Sequence, residues 1–153
     1  MHFVQEQVIE RPVSEVFAFI SDPENLPRWN YYVIGCMKLD TSPARVGSTY
    51  RLVRKSDTRV FSVTEFKQDR RLVIRFRAPT PPLEIRFTFE STGSGTRLTD
   101  EWGLRGIAGF VAGFATAPIR RAVGQNLGKL KELLETGRTE LQDGRVELYV
   151  SAA

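Results

Sequence analysis

One carboxylate in this chain is spaced to do chemistry. Over Thr96–Leu104 a strand's period of two puts Leu98, Asp100, Trp102 and Leu104 on one side. If that side is the buried one, Asp100 points inward beside an indole. A carboxyl group among aromatics has a raised pKa and can serve as a general acid or base. Two other arrangements suit the same residues: Asp100 paired with an arginine at a cavity mouth, or Asp100 turned outward by a bulge. Glu101 faces water in this register, and a slip of one residue would exchange the two.

Further polar candidates are fewer. Arg54 shares a face with Leu52 and Tyr50. Turned inward it could hold a ligand carboxylate or phosphate; it could equally snorkel from a strand edge. Glu65 shares a face with Phe61 and Val63, but both faces of that strand are apolar and its direction stays open. Trp29, Tyr31 and Tyr32 combine apolar bulk with a polar handle, useful for orienting a ligand and equally useful for packing. Leu52, Phe76, Phe87, Trp102, Phe110 and Phe114 are the wall candidates, and each would also serve as plain core.

Much chemistry is excluded. The chain has a single histidine, His2, and a single cysteine, Cys36. An internal disulfide, Ser-His-Asp or Cys-His catalysis and a zinc site are therefore not expected. No GxGxxG, P-loop or nucleophile elbow occurs. Gly93-Ser94-Gly95 precedes a strand, so it reads as a hairpin turn and not a phosphate cradle. No cofactor and no metal is expected.

The elements that position these residues follow from the patterning. With 153 residues, 41% apolar and 26% charged, the chain is expected to fold as one ligand-binding domain over 1–137, with a tail of unknown role at 138–153. Residues 3–10 read as extended. Pro12 suits a first helical position, and Val13, Val16, Phe17 and Ile20 form one helix face. Asp22-Pro23 opens a second, shorter helix through Trp29. Strands are predicted near 33–39, 48–55, 59–66, 71–78, 83–90 and 96–104, with short connections that imply antiparallel pairing. Ile119, Val123, Leu127, Leu130 and Leu134 make the apolar stripe of a helix over 118–136, ended by Gly137. Gly109, Gly113 and Ala117 would give the preceding stretch a smooth face, suited to close packing or to a lid. Gln142-Asp143-Gly144-Arg145 could turn a small hairpin.

The net charge is +4, and it is uneven: from Arg45 to Arg86 eleven Lys/Arg stand against four Asp/Glu. Most of these alternate with apolar residues, the pattern of a solvated sheet face. Nucleic acid is not expected as a partner. The N-terminus has no apolar targeting segment, and the longest charge-free stretch, 106–119, is short for a span. Stable membrane insertion is not expected, and a cytoplasmic location is. A homodimer is left open.

This order of elements resembles the START-like, or birch-pollen-allergen-like, superfamily, also called the polyketide cyclase/dehydrase type. The carrying residues are Arg11–Phe17, Asp22–Trp29, Val46–Tyr50, Val63–Phe66 with Arg71-Leu72, Gly95–Thr99 and Leu130–Glu135. The resemblance covers residues 3–137. It implies an α+β helix-grip: a curved seven-stranded antiparallel sheet wrapped around a long C-terminal helix, two short helices after the first strand, and a cavity between sheet and helix. Fold alone does not choose a function here. Three readings follow: a binder of a hydrophobic small molecule (lipid, isoprenoid or polyketide-like), a cyclase or aromatase with Asp100 as acid or base, and an interaction module with a filled cavity.

Overall fold

The computed structural model describes residues 2–77, 82–104 and 116–151. The chain begins with β1 (His2–Ile9), α1 (Val13–Ile20) and a 3-10 helix (Pro23–Arg28). Six strands follow: β2 (Val33–Lys38), β3 (Thr49–Arg54), β4 (Thr58–Lys67), β5 (Arg71–Phe76), β6 (Leu83–Ser91) and β7 (Thr96–Leu104). Then come α2 (Thr116–Thr136), β8 (Arg138–Glu140) and β9 (Val146–Leu148).

Seven strands form one antiparallel sheet in the order β1-β7-β6-β5-β4-β3-β2. β1 completes the sheet by pairing with β7, from His2 opposite Gly103 to Ile9 opposite Thr96. Its outer face carries ion pairs such as Arg75–Glu84 at 2.8 Å. Its inner face packs on α2, whose Val123, Leu127, Leu130, Leu133 and Leu134 are buried. This is the α+β helix-grip arrangement expected from the sequence.

The short helices close one side. Phe17 of α1 is 1% exposed and meets Phe66 and Phe89 edge-on at 5.3 and 5.0 Å. Asp22 caps the second helix by accepting from the Glu24 N–H, and Pro27 inside it fits the tighter 3-10 form. Gly137 at φ +82° ends α2, its N–H donating to the Leu133 carbonyl.

A register shift between Val63 and Glu65 settles the direction of Glu65. Phe61 and Val63 face inward; the bulge then turns Glu65 out, where it pairs with Lys67 at 3.0 Å and Arg71 at 3.5 Å. Phe66 takes the inward place against Phe17.

Residues 138–151 form a hairpin packed on the rest of the molecule. Thr139 and Leu141 are buried. The Tyr149 hydroxyl donates to Glu15, and its ring meets Phe19 edge-on. Arg145 donates to the carbonyl oxygens of Pro27, Tyr31 and Val33, while Arg28 donates to that of Leu148.

Candidate functional site

Between the inner face of the sheet and α2 lies a cavity of about 480 Å³. The sheet contributes Leu52, Phe61, Ile74, Phe76, Ile85 and Phe87 to its wall. Pro118, Ile119, Ala122 and Val123 of α2 face them. Leu26, Trp29 and Val33 close the side nearest the 3-10 helix. The space lies where the facing turns of α2 carry the short side chains Ala122 and Val123. Further along, Leu127, Leu130 and Leu134 fill the interface instead.

Asp100 lies on this wall and is 3% exposed. It stands opposite Phe87 on one side and Gln5 on the other. Burial pushes its carboxyl up to about 7, which the Trp102 indole N–H offsets only in part. The two groups lie close enough to interact but not in line: neither Asp100 Oδ1 nor Trp102 Nε1 makes a well-formed hydrogen bond, although both atoms are buried. Trp102 also lines the cavity, its ring stacked on Phe3 at 5.7 Å. Glu101 faces out, bonded to His2 at 2.8 Å and 3.9 Å from Arg86.

Arg54 reaches the wall, but its guanidinium is committed. Nε and Nη2 donate to the two Asp57 oxygens at 2.7 and 2.8 Å. Arg59 Nε donates to Asp57 as well, at 2.7 Å. The bond from Arg54 is the main reason the Asp57 carboxyl lies well below the usual carboxylate range. Two guanidinium groups thus share one carboxylate at the β3–β4 turn. Arg59 escaped the sequence reading, although its alternation with Phe61 and Val63 carried the signal.

Tyr31 is a correction: it is not among the residues lining the cavity. Its ring takes the Lys55 ammonium at 4.7 Å and meets Tyr32 edge-on at 4.9 Å. Lys55 also pairs with Asp143 at 2.9 Å, which fixes this cation over Tyr31. The wall receives Tyr32 and Asn30 instead. Asn126 of α2 also reaches the wall, its Oδ1 accepting the Tyr31 N–H at 3.4 Å. Of the other wall candidates, Phe110 and Phe114 lie outside the described residues, as does the stretch proposed as a lid, 106–117, except for Thr116 and Ala117, which begin α2.

No group of three or more His, Cys, Asp or Glu among the described residues could hold a metal ion. Cys36 is not a poised nucleophile: burial is the chief cause that pushes its thiol up to about 12. No helix among the described residues is long and apolar enough to cross a membrane.

Solved structures share this architecture. The protein MLL2253 from Mesorhizobium loti is 18% identical with a TM-score of 0.71, over 92% of this chain and 100% of that one. DynU16, a protein of the dynemicin biosynthetic locus, is 21% identical with a TM-score of 0.71; the match covers 89% of this chain and 48% of DynU16. The Aha1 dimer from Colwellia psychrerythraea is 20% identical with a TM-score of 0.66, over 90% of this chain and 98% of that one. None of the curated proteins matches the chain. The family model described as polyketide cyclase / dehydrase and lipid transport matches residues 1–135. The chain belongs to the polyketide cyclase / dehydrase and lipid transport family.

Proposed function

We propose that this protein binds a hydrophobic small molecule, of lipid, isoprenoid or polyketide-like kind, between sheet and α2. The observation that carries the reading is the cavity itself. Its volume of about 480 Å³ falls within the roughly 300–1,000 Å³ of small-molecule sites. Its walls are aromatic and aliphatic, with a few polar groups at separate points. Apolar burial drives such binding at about 25 cal/mol per Å². At about 0.3 kcal/mol per heavy atom, a ligand of about 20 atoms would bind in the tens of micromolar or tighter.

Native mass spectrometry of the purified protein tests this. The expected result is a retained apolar adduct, or a stoichiometric complex with an added long-chain alcohol. A protein that neither retains nor takes up any apolar compound would sink the proposal.

A second reading is a cyclase or aromatase acting on a polyketide-like substrate. Asp100 favours it, because a carboxyl group with pKa near 7 inside a cavity can move a proton at neutral pH. The location of DynU16 in a biosynthetic locus supports the same direction. An Asp100→Asn variant that keeps binding but loses turnover would favour this second reading.

A further inference from the structure

The cavity wall carries two buried polar atoms that make no well-formed hydrogen bond within the described protein. They are Oδ1 of Asp100 and Nε1 of Trp102. More than about nine in ten buried polar groups have a partner, and an orphaned one costs about 1–3 kcal/mol. They belong to successive inward positions of one strand, and their polar ends approach closely enough for the indole N–H to lower the Asp100 carboxyl's pKa. Both residues line the same space.

The surroundings offer no relief. Gln5, opposite Asp100 on β1, donates its amide to the Arg120 carbonyl at 3.1 Å. Phe3 stacks on Trp102, while Phe87 and Ile85 are the cross-strand neighbours on β6. Val123 of α2 is apolar, and Asn126 accepts from the Tyr31 N–H. The charged side chains among the lining residues are Arg54, Arg59 and Asp100. Both arginines bond Asp57 and stand on β3 and β4, three to four strands from β7.

We propose that this part of the cavity receives a neutral hydroxyl group of the bound molecule, which accepts from the Trp102 indole and donates to Asp100 Oδ1. The proposal rests on the small-molecule reading above and specifies its ligand: an apolar alcohol or phenol, buried hydroxyl first. The chemistry discriminates among head groups. The indole N–H is a donor only, so it needs an acceptor. A carboxylate oxygen needs a donor. One hydroxyl is both. A ketone satisfies the indole but pairs with Asp100 only while that acid is protonated. A ligand carboxylate would face Asp100 with no cation beside it, an uncompensated buried charge. A pure hydrocarbon leaves both atoms orphaned.

Binding of 2-naphthol, 2-methylnaphthalene and 2-naphthoate to the whole protein, measured by calorimetry, tests the proposal. These probes share a ring system and differ in head group. The expected order is 2-naphthol about tenfold tighter than 2-methylnaphthalene, with 2-naphthoate weakest. Trp102→Phe and Asp100→Leu should each reduce the naphthol preference severalfold, while Asp100→Asn, which keeps an acceptor, should retain part of it. Without partners the hydroxyl pays only desolvation, so equal or tighter binding of 2-methylnaphthalene to the wild-type protein overturns this inference and leaves the cavity reading intact. If none of the three binds, the cavity reading fails and this one with it.

Discussion

A Cβ placed on Gly95 would stand 2.2 Å from the carbonyl oxygen of Ile9. It would also meet Glu10 Cα at 2.9 Å and Arg11 N at 3.0 Å. All three are backbone atoms, so none can swing aside. The end of β1 crosses the β6–β7 turn at this point, and Thr96 fastens the crossing by donating its hydroxyl to the Arg11 carbonyl at 2.8 Å. Gly95→Ala is expected to destabilise the protein by about 3 kcal/mol, read from urea unfolding. Gly93→Ala is the control, because a Cβ there meets nothing within 4 Å. Equal midpoints for the two variants would contradict the crossing.

Arg145 ties the C-terminal hairpin to the segment that supplies Trp29 and Tyr32 to the cavity. Its guanidinium donates to three carbonyl oxygens, at 3.2–3.3 Å. Arg145→Ala should cost about 2 kcal/mol, the size of a lost charge-assisted hydrogen-bond set. Hydrogen exchange should speed up at the amides of Tyr31 to Val33. Unchanged exchange there would mean that the hairpin rests on this segment without holding it.

Asp100 makes stability depend on pH. Its carboxyl is pushed from an ordinary 3.8 up to about 7. Between those values the folded protein keeps a proton that the unfolded chain releases. The contribution of Asp100 to stability is therefore most favourable below about pH 4, falls as pH rises towards 7, and levels off above. Asp100→Asn removes this loss. The variant should unfold at a higher temperature than wild type at pH 8, by a few kcal/mol in stability, with the gap closing towards pH 4. A constant gap across that range would show that Asp100 does not titrate in this way.

Asp57 quenches two cations at the cavity's edge. Asp57→Asn should leave Arg54 and Arg59 available to an anionic head group. The affinity for dodecanoate relative to dodecanol should rise by roughly fivefold, the effect of about 1 kcal/mol between solvated charges. Adding 0.5 M salt, roughly five times the concentration that already screens beyond 10 Å, should abolish the gain. The measurement is paired calorimetric titration of the two amphiphiles.

Alternation made the sheet readable in advance, and β7 shows why. Leu98, Asp100 and Trp102 keep an unbroken period of two, so counting puts Asp100 on their face, and the burial of Leu98 and Asp100 makes that face the inner one. Glu65 could not be read this way. The shift after Val63 is a backbone event with no residue type that announces it, and it reverses every side chain beyond. Tyr31 failed for another reason: its place is set by Lys55 and Asp143, the latter 112 residues further on, and local pattern does not carry such contacts. Asn126 is similar, a polar residue on the apolar stripe of α2 whose purpose appears only once the Tyr31 backbone lies against it. The resemblance supplied the single seven-stranded sheet gripping a C-terminal helix, which alternation does not contain.

The placement of β1 beside β7 has a kinetic consequence. The first strand made is the last that can be seated, because its partner begins some ninety residues later. The other sheet neighbours are successive strands that zip as hairpins, whereas this pair must close a loop spanning most of the chain. Refolding should therefore show early assembly of β2–β7 and a slower final step, in which the amino-terminal strand docks and shuts the edge.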